Sequence, residues 1–142
     1  MIPRVVLDTN VVVSALLKPH GLEDQVFRLA LAGRLLLCVS PEVLAEYGRV
    51  LSSPKFKFKP EEVATALRQL EKAGSLFHPA QTLRISAHEP DNLFYECADA
   101  AQAAFLITGN LKHFKKDYQA TKVVNARKLL DLLATGQIYI CV

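Results

Sequence analysis

The stretch RVVLDTN, residues 4–10, decides the fold, because a short apolar run in it ends in an acid. Val5, Val6 and Leu7 include two β-branched side chains and no polar one, which is typical of a buried strand in a parallel sheet. Asp8 then lies at the carboxyl end of that strand, the edge where open α/β sheets bind ligands. A carboxylate buried there is costly unless it is hydrogen-bonded, paired or bound to a cation. We therefore expect companions for Asp8 further along the chain.

The length and composition of the chain fit one globular domain. The chain has 142 residues, of which 51% are hydrophobic and 22% charged, a profile that differs from that of disordered proteins. We expect a single domain over residues 1–142, large enough to bury its own core. The formal net charge of +3 permits nucleic acid as a partner without requiring it.

Several features predict a cytoplasmic protein with no membrane partner. No apolar run approaches the length of a membrane span, and the first residues carry no signal-peptide pattern. The three cysteines, Cys38, Cys97 and Cys141, are scattered without the spacing of metal ligands. An odd number of cysteines without a signal peptide indicates reduced thiols.

Strands and helices alternate along the predicted chain. Buried strands are expected at Val5–Leu7, Leu35–Val39 and Phe105–Thr108. A further short strand is expected at Lys122–Val124, and Leu83–Ser86 and Gln137–Val142 are candidates for additional strands. Helices are expected at residues 22–33, from Pro41 to about Leu51, from Pro60 to near Gly74, from the turn at 88–92 to near Ala103, and at Ala126–Ala134. This alternation predicts an α/β fold, a three-layer α/β/α sandwich with a central parallel sheet.

Three acids occupy comparable places in this arrangement. Asp8 follows the first strand, Glu46 lies on the helix after the second, and Asp91 begins the helix before the third buried strand. The carboxyl ends of neighbouring parallel strands converge, so residues this far apart in sequence can meet. Glu46 lies close to the apolar stripe of its helix, so it either turns outward at the stripe's edge or points at a ligand.

Carboxylates that meet would repel one another unless a cation lies between them. Like charges raise each other's pKa, and a divalent cation removes that penalty. Ligands that are all oxygen select a hard ion such as Mg²⁺ or Mn²⁺. Such an ion activates water and stabilises a leaving oxygen, which is the chemistry that phosphodiester hydrolysis needs.

Four ordered motifs resemble those of the PIN-domain ribonucleases, and most of all the branch described as toxin components of toxin–antitoxin systems. They read VLDTN at 6–10, SPEVLAEY at 40–47, EPDNLFYECA at 89–98 and LITGN at 106–110. The match extends over about residues 4–125. The resemblance implies a PIN-like sandwich, a Mg²⁺ or Mn²⁺ cofactor and cleavage of single-stranded or structured RNA. It also implies a neutralising antitoxin as a partner.

The resemblance also assigns catalytic and metal-binding residues. The first and second acids of the family fall on Asp8 and Glu46. The third lies in a turn often written Asp-Pro-Asp-Asp, which here is EPDN at residues 89–92 and is one acid poorer. We assign the third acid to Asp91, with Asn92 as a neutral second contact to the metal.

The last family position, which often carries Asp or Asn, falls on Asn110, and His113 stands where a further acid is sometimes found. The site is therefore light in negative charge, which predicts weak metal affinity. The resemblance also predicts that Thr108 forms hydrogen bonds within the acidic pocket. Thr9 and Asn10 either support Asp8 and the metal's waters or serve an ordinary turn.

Basic residues near the motifs are candidates for contacts with RNA. Lys112, Lys115 and Lys116 follow Asn110 directly and are the preferred candidates. A second segment, residues 55–59, alternates three lysines with Phe56 and Phe58. It either grips phosphates and stacks bases or forms a solvated edge with two phenylalanines tucked inward.

Three functions compete at this point. The first is a metal-dependent endoribonuclease that is the toxin of a toxin–antitoxin pair and forms a homodimer. The second is a catalytically weakened PIN domain that binds RNA or protein, which the acid-poor turn at 89–92 favours. The third is a phosphate-binding domain of the receiver type, which ranks low because the last buried strand is not followed by a lysine. A Rossmann cofactor site is excluded because no glycine-rich turn follows the first strand.

Overall fold

The central layer is a sheet of parallel strands, seen in a computed structural model that describes residues 2–86, 89–114 and 116–137. In these residues the strands are β1 (Arg4–Leu7), β2 (Leu36–Val39), β3 (Ser75–Leu76), β4 (Phe105–Ile107) and β5 (Lys122–Val124). Their order across the sheet is β3-β2-β1-β4-β5, and each neighbouring pair is parallel. The strand that carries Asp8 is therefore the middle strand of the sheet.

Helices flank this sheet. They are α1 (Thr9–Leu17), α2 (Leu22–Leu31), α3 (Pro41–Leu51), α4 (Pro60–Ala73), α5 (Asn92–Ala101) and α6 (Ala126–Ala134), with a 3₁₀ turn at Glu89–Asp91 before α5. Helix α5 packs against β1, β2 and β4, whereas α2 packs against α1 and α6. The predicted α/β fold with a central parallel sheet is confirmed.

The apolar run of β1 is buried because it has a strand on each side. Val5 lies opposite Leu37 of β2 and Phe105 of β4. Val5, Val6 and Leu7 have no exposed surface, as expected for a parallel sheet that is covered on both faces. The amide of Asp8 still donates to the carbonyl of Ile107 at 2.9 Å, so Asp8 is held at the last rung of the ladder.

Local signals explain why α3 starts where the sequence predicts. The side chain of Ser40 accepts a hydrogen bond from the amide of Val43 at 3.0 Å, and Pro41 occupies the first turn. Glu42 adds an acid beside the positive end of the helix. This start fixes the helical phase and so determines which way Glu46 and Tyr47 point.

The strand proposed at Leu83–Ser86 is wrong. The edge strand beside β2 is instead Ser75–Leu76, and the 83–86 segment forms no ladder. Side chains of α5 hold this segment: Glu96 accepts from the amide of Leu83, and Asn92 accepts from those of Ile85 and Ser86. The alternation of Leu83 and Ile85 has a packing cause, since both are half-buried against the core.

Other differences from the predicted elements are small. Residues 11–17 belong to α1, which already begins at Thr9, while α2 and α5 each end two residues before the predicted end. The proposed strand at Gln137–Val142 falls almost wholly outside the described residues. The longest described helix has 14 residues, and no helix in the described part of the chain has the length and apolar composition of a membrane span.

Candidate active site

Asp8 lies at the carboxyl end of β1 with its side chain turned toward β4. It occupies the N-cap position of α1, but its side chain makes no capping hydrogen bond. Instead, the hydroxyl of Thr108 donates to Asp8 Oδ2 at 2.8 Å, and that hydroxyl accepts from the amide of Asn110 at 2.9 Å. The ordinary role of a strand-ending aspartate as a helix cap is therefore not the one that Asp8 has here.

Asp91 is the second buried acid at this edge of the sheet. It ends the 3₁₀ turn that leads into α5 and is 7% exposed, close to the 6% of Asp8. His113, from the loop after β4, places its Nδ1 3.3 Å from Asp91 Oδ2. Three separate segments of the chain thus converge at the carboxyl ends of β1 and β4.

The pKa of Asp8 reports how unfavourable its charge is in this place. The pKa of Asp8 is raised from 3.8 to about 6, mainly by burial and in smaller part by the negative charge of Asp91. The hydrogen bond from Thr108 and the proximity of His113 act in the opposite direction. Desolvation prevails, so a cation beside Asp8 and Asp91 would relieve a penalty that the protein itself does not remove.

Glu46 faces the same region from α3, but its carboxylate is already engaged. Arg49, three residues further along the helix, donates from Nε to Glu46 Oε2 at 3.2 Å and from Nη2 to Oε1 at 2.5 Å. The side chain of Glu46 is 15% exposed and that of Arg49 is 68% exposed. Glu46 is therefore turned inward, with the guanidinium covering it from the solvent side.

These side chains line one cleft of about 560 Å³, hereafter the acidic cleft. Its walls include the three predicted acids Asp8, Glu46 and Asp91 together with Thr9, Asn10, Asn110, Arg49, Phe56 and His113. The structure thus brings together residues that are about 40 to 100 positions apart in the sequence. Their roles in metal binding and catalysis stay predictions.

The oxygen atoms of the acidic cleft are the kind of ligand that a hard cation prefers, but the carboxylates are not grouped around one point. Asp8 and Asp91 offer buried oxygens, and the hydroxyl of Thr9 is buried without a hydrogen-bond partner in the described part of the chain. Such a donor set fits Mg²⁺ or Mn²⁺. However, within residues 2–86, 89–114 and 116–137 no three Asp, Glu, His or Cys side chains are grouped closely enough to hold a metal ion. A third carboxylate would come from Glu46 if Arg49 released it.

Asn92, predicted as a neutral metal contact, lies elsewhere. Its Oδ1 accepts from the amides of Ile85 and Ser86 at 3.0 and 2.8 Å, and its Nδ2 donates to the carbonyl of Ser86 at 3.1 Å. It lines a neighbouring pocket of about 400 Å³ rather than the acidic cleft. One residue of helical advance turns a side chain by about 100°, which separates Asn92 from Asp91.

The supporting asparagines connect the elements around the acidic cleft. Asn10 accepts from the amide of Gly109 at 3.0 Å, which ties the start of α1 to the loop after β4. Asn110 lines the cleft, and its amide is held by Thr108. Both residues thus fix the loop that carries His113.

Of the predicted RNA-contacting lysines, the two that the structure describes, Lys112 and Lys116, are not part of the cleft wall. Lys112 and Lys116 are exposed in the loop after β4, and Lys115 lies outside the described residues. In the 55–59 segment the lysines are exposed, whereas Phe56 and Phe58 are half-buried with their ring centroids 6.0 Å apart. This arrangement is the solvated edge with inward phenylalanines, although Phe56 also reaches the acidic cleft.

Arg49 is a charged residue of the cleft that the sequence analysis did not predict. The signal was present, because an acid and an arginine three residues apart on one helix are neighbours on its surface. Phe56 was noticed only as part of an alternating segment, since nothing local shows that α3 brings that segment to the site.

The fold and this geometry agree with the comparisons to known proteins. A family model described as a PIN domain matches residues 4–112. The chain belongs to the PIN-domain family. PIN domains are generally nucleases.

Two further proteins are similar to this PIN domain. The uncharacterized protein MJ1680 of Methanocaldococcus jannaschii is 30% identical over 110 residues, which cover 75% of this chain and 70% of that protein. The crystal structure of VapBC2 from Rickettsia felis, bound to a DNA fragment from their promoter, superposes with a TM-score of 0.58 and 21% identity. The superposition covers 86% of this chain and 98% of the matched chain of the VapBC2 structure, and it shows a shared fold.

Proposed function

We propose that this PIN domain is a metal-dependent endoribonuclease that hydrolyses RNA phosphodiester bonds. The observation that carries the proposal is the burial of Asp8 and Asp91 together in one cleft, with the pKa of Asp8 raised to about 6. A functional site often holds such a perturbed group in a cleft. Membership of the PIN-domain family supports the nuclease class.

The residues of the acidic cleft take distinct roles in this proposal. Asp8 and Asp91 would hold Mg²⁺ or Mn²⁺, and Glu46 would provide the third carboxylate. When bound, the cation supplies Lewis-acid chemistry, since it activates water and neutralises charge on the phosphate. Thr108 keeps Asp8 oriented through its hydroxyl. Asn110 lines the cleft, where its side chain can orient water or phosphate.

We further propose that the protein is the toxin of a toxin–antitoxin pair in the cytoplasm. The motif resemblance supports an antitoxin protein as its partner and a homodimer as its assembly. The similarly folded protein from Rickettsia felis belongs to VapBC2, bound to DNA of their promoter. Co-purification of this chain with the product of a neighbouring small reading frame would test the pairing, and light scattering would test the dimer.

A second candidate function is an RNA- or protein-binding module with weakened catalysis. Two observations favour it. The turn EPDN at residues 89–92 is one acid poorer than the family's usual turn, and Glu46 is engaged by Arg49. Binding of RNA without cleavage that depends on metal would support this function.

Calorimetric titration with Mn²⁺, run beside cleavage of a mixed RNA pool, tests the first function. Asp8→Asn keeps the shape of the side chain and is expected to abolish both the heat of binding and the cleavage. Asp24→Asn is the matched control, because Asp24 is equally buried but does not line the cleft. If wild-type protein leaves the RNA intact at millimolar Mn²⁺ and shows no heat of binding, the nuclease proposal is wrong.

A further inference from the structure

Arg49 holds a position in the acidic cleft that an ordinary surface ion pair would not need. Among the arginines and lysines of the described residues, it alone lines this cleft with Asp8 and Asp91. It donates two hydrogen bonds to Glu46, so the two planar groups meet in a fork. Its side chain is nevertheless 68% exposed and can turn toward solvent or toward a ligand.

A second arginine–carboxylate pair in the chain shows what a structural pair looks like. Arg28 donates from Nε to Asp24 Oδ2 at 2.9 Å, and the same oxygen accepts from the amide of His20 at 2.8 Å. Neither Arg28 nor Asp24 lines the acidic cleft. Arg49 differs because its partner, Glu46, shares a cleft with two further acids.

Arg49 and a cation would compete for Glu46, because both are positively charged, repel each other and are stabilised by the same carboxylate. The fork from Arg49 occupies both Oε1 and Oε2 of Glu46. The guanidinium end of this pair is open to water, because the side chain of Arg49 is 68% exposed. An ion pair that is open to water contributes little, so Arg49 can exchange Glu46 for a stronger partner. A guanidinium released from a carboxylate has a geometry that also matches phosphate, to which it binds through two parallel hydrogen bonds.

We propose that Arg49 is a phosphate-positioning residue that exchanges Glu46 for a phosphate of the RNA when a cation occupies the cleft. The inference rests on the proposed nuclease function and names the residue that grips the substrate. In the metal-free cleft, Arg49 neutralises Glu46. A cation that takes Glu46 frees the guanidinium, and a phosphate that takes the guanidinium frees Glu46.

This exchange makes the binding of cation and RNA mutually dependent. Linkage requires that RNA raises the affinity for the cation by the same factor by which the cation raises the affinity for RNA. Arg49 contributes to that factor because it competes for Glu46 only while no phosphate is bound. Removal of Arg49 should therefore affect the two ligands in opposite directions, which loss of a merely structural contact would not do.

Arg49→Gln tests the proposal with two measurements of binding. Calorimetry with Mn²⁺ alone should show about two- to fivefold tighter binding in the variant, since a competitor for Glu46 that is open to water has been removed. Fluorescence anisotropy measures the binding of a short single-stranded RNA. This RNA carries 2′-O-methyl and phosphorothioate groups so that it resists hydrolysis. In Mn²⁺, the affinity of the variant for this RNA should fall roughly tenfold, as expected for a lost hydrogen bond to a charged group. The slope of log affinity for RNA against log salt concentration should fall in magnitude by about one, as expected for the loss of one phosphate contact.

Two further variants act as controls. Arg28→Gln removes an exposed arginine from a helical pair outside the cleft and should change neither affinity. Arg49→Lys keeps the charge but not the fork, so it should recover part of the RNA affinity. Thermal unfolding of each variant checks that the fold is intact.

The outcomes separate this inference from the function on which it rests. If wild-type protein binds Mn²⁺ and cleaves RNA while Arg49→Gln binds both ligands as wild type does, the inference alone is overturned. The same holds if Arg49→Gln binds Mn²⁺ more weakly. If wild-type protein shows neither Mn²⁺ binding nor RNA binding, the proposed function fails and the inference fails with it.

Discussion

Asp8 and Asp24 are buried to nearly the same extent, with 6% and 7% of their surface exposed, yet their surroundings differ. Asp24, in the first turn of α2, accepts from the backbone amide of His20 and from the guanidinium of Arg28. Asp8 accepts from the hydroxyl of Thr108 and lies near a second acid, Asp91. The carboxylate of Asp24 has the positive charge of Arg28 beside it, whereas the carboxylate of Asp8 has the negative charge of Asp91 nearby.

The difference separates a structural acid from a functional one. A buried carboxylate that is paired and hydrogen-bonded is satisfied by the protein itself, as Asp24 is. Burial raises the pKa of Asp8 to about 6, so at neutral pH its charge opposes folding. A cation beside Asp8 is therefore expected to stabilise the fold, and this distinction can be tested in four ways.

The largest expected effect is on the pH dependence of stability in the absence of metal. The folded-state pKa of Asp8 lies above its ordinary value of 3.8, so the folded protein binds more protons between about pH 4 and pH 6. The free energy of unfolding of wild type should therefore fall, relative to that of Asp8→Asn, as the pH rises through this window. At pH 8 the variant should be more stable by about 3 kcal/mol, because each pKa unit corresponds to about 1.4 kcal/mol.

Urea unfolding in EDTA at several pH values measures this difference, with Asp24→Asn as the control. The Asp24→Asn variant should not be more stable than wild type at pH 8. If the free energies of unfolding of wild type and Asp8→Asn change with pH in parallel, Asp8 is as well accommodated as Asp24.

The next effect is stabilisation by the cation. Free Mn²⁺ at a hundred times its Kd should raise the free energy of unfolding of wild type by about 2.7 kcal/mol. Asp24→Asn should keep this gain and Asp8→Asn should lose it. Thermal unfolding with and without Mn²⁺ measures this gain. If Asp8→Asn keeps the gain, the cation binds elsewhere.

Thr108→Val sharpens the comparison by removing a hydrogen bond from Asp8. The variant keeps the shape of the side chain but leaves Asp8 without the hydroxyl donor, so the pKa of Asp8 should rise further. The stability at pH 8 should fall by about 2 kcal/mol. Because Thr108 orients a proposed ligand, the affinity for Mn²⁺ should fall about ten- to a hundredfold.

Thr121→Val is the matched control for Thr108→Val. The hydroxyl of Thr121 is also buried and donates to the carbonyl of Ala103 at 2.6 Å. Its loss should lower stability to a similar extent without changing calorimetric titration by Mn²⁺. Equal Mn²⁺ affinities in the two variants would contradict a role for Thr108 at the site.

The smallest effect is expected at Asp24 itself. Asp24→Asn should lower the free energy of unfolding by about 1 kcal/mol, because the charge on a hydrogen-bonded acceptor is lost while its shape is kept. In a double-mutant cycle with Arg28→Gln, the coupling should stay below about 1 kcal/mol, since the arginine is 61% exposed. A loss of Mn²⁺ binding in either variant would show that α2 contributes to the site.

The sequence by itself determined the features that depend on neighbours along the chain. The apolar run of β1 predicted a buried strand, and it is the middle strand of the sheet. Ser40 and Pro41 located the start of α3 correctly, because capping involves only residues within one turn. The parallel sheet then implied that Asp8, Glu46 and Asp91 would converge, since the carboxyl ends of parallel strands share one edge.

The tertiary structure alone decided how those residues are oriented and paired. The candidate strand at Leu83–Ser86 does not form, because the backbone amides there bind side chains of α5, and a local sequence pattern does not reveal such pairing. The start of α5 decided that Asp91 faces the cleft while Asn92 faces away, because one residue changes the direction by about 100°. The pairing of Glu46 with Arg49 and the raised pKa of Asp8 depend on what surrounds each group in space. Charge and burial are properties of the packed molecule, so the sequence predicted which acids meet but not which of them is already neutralised.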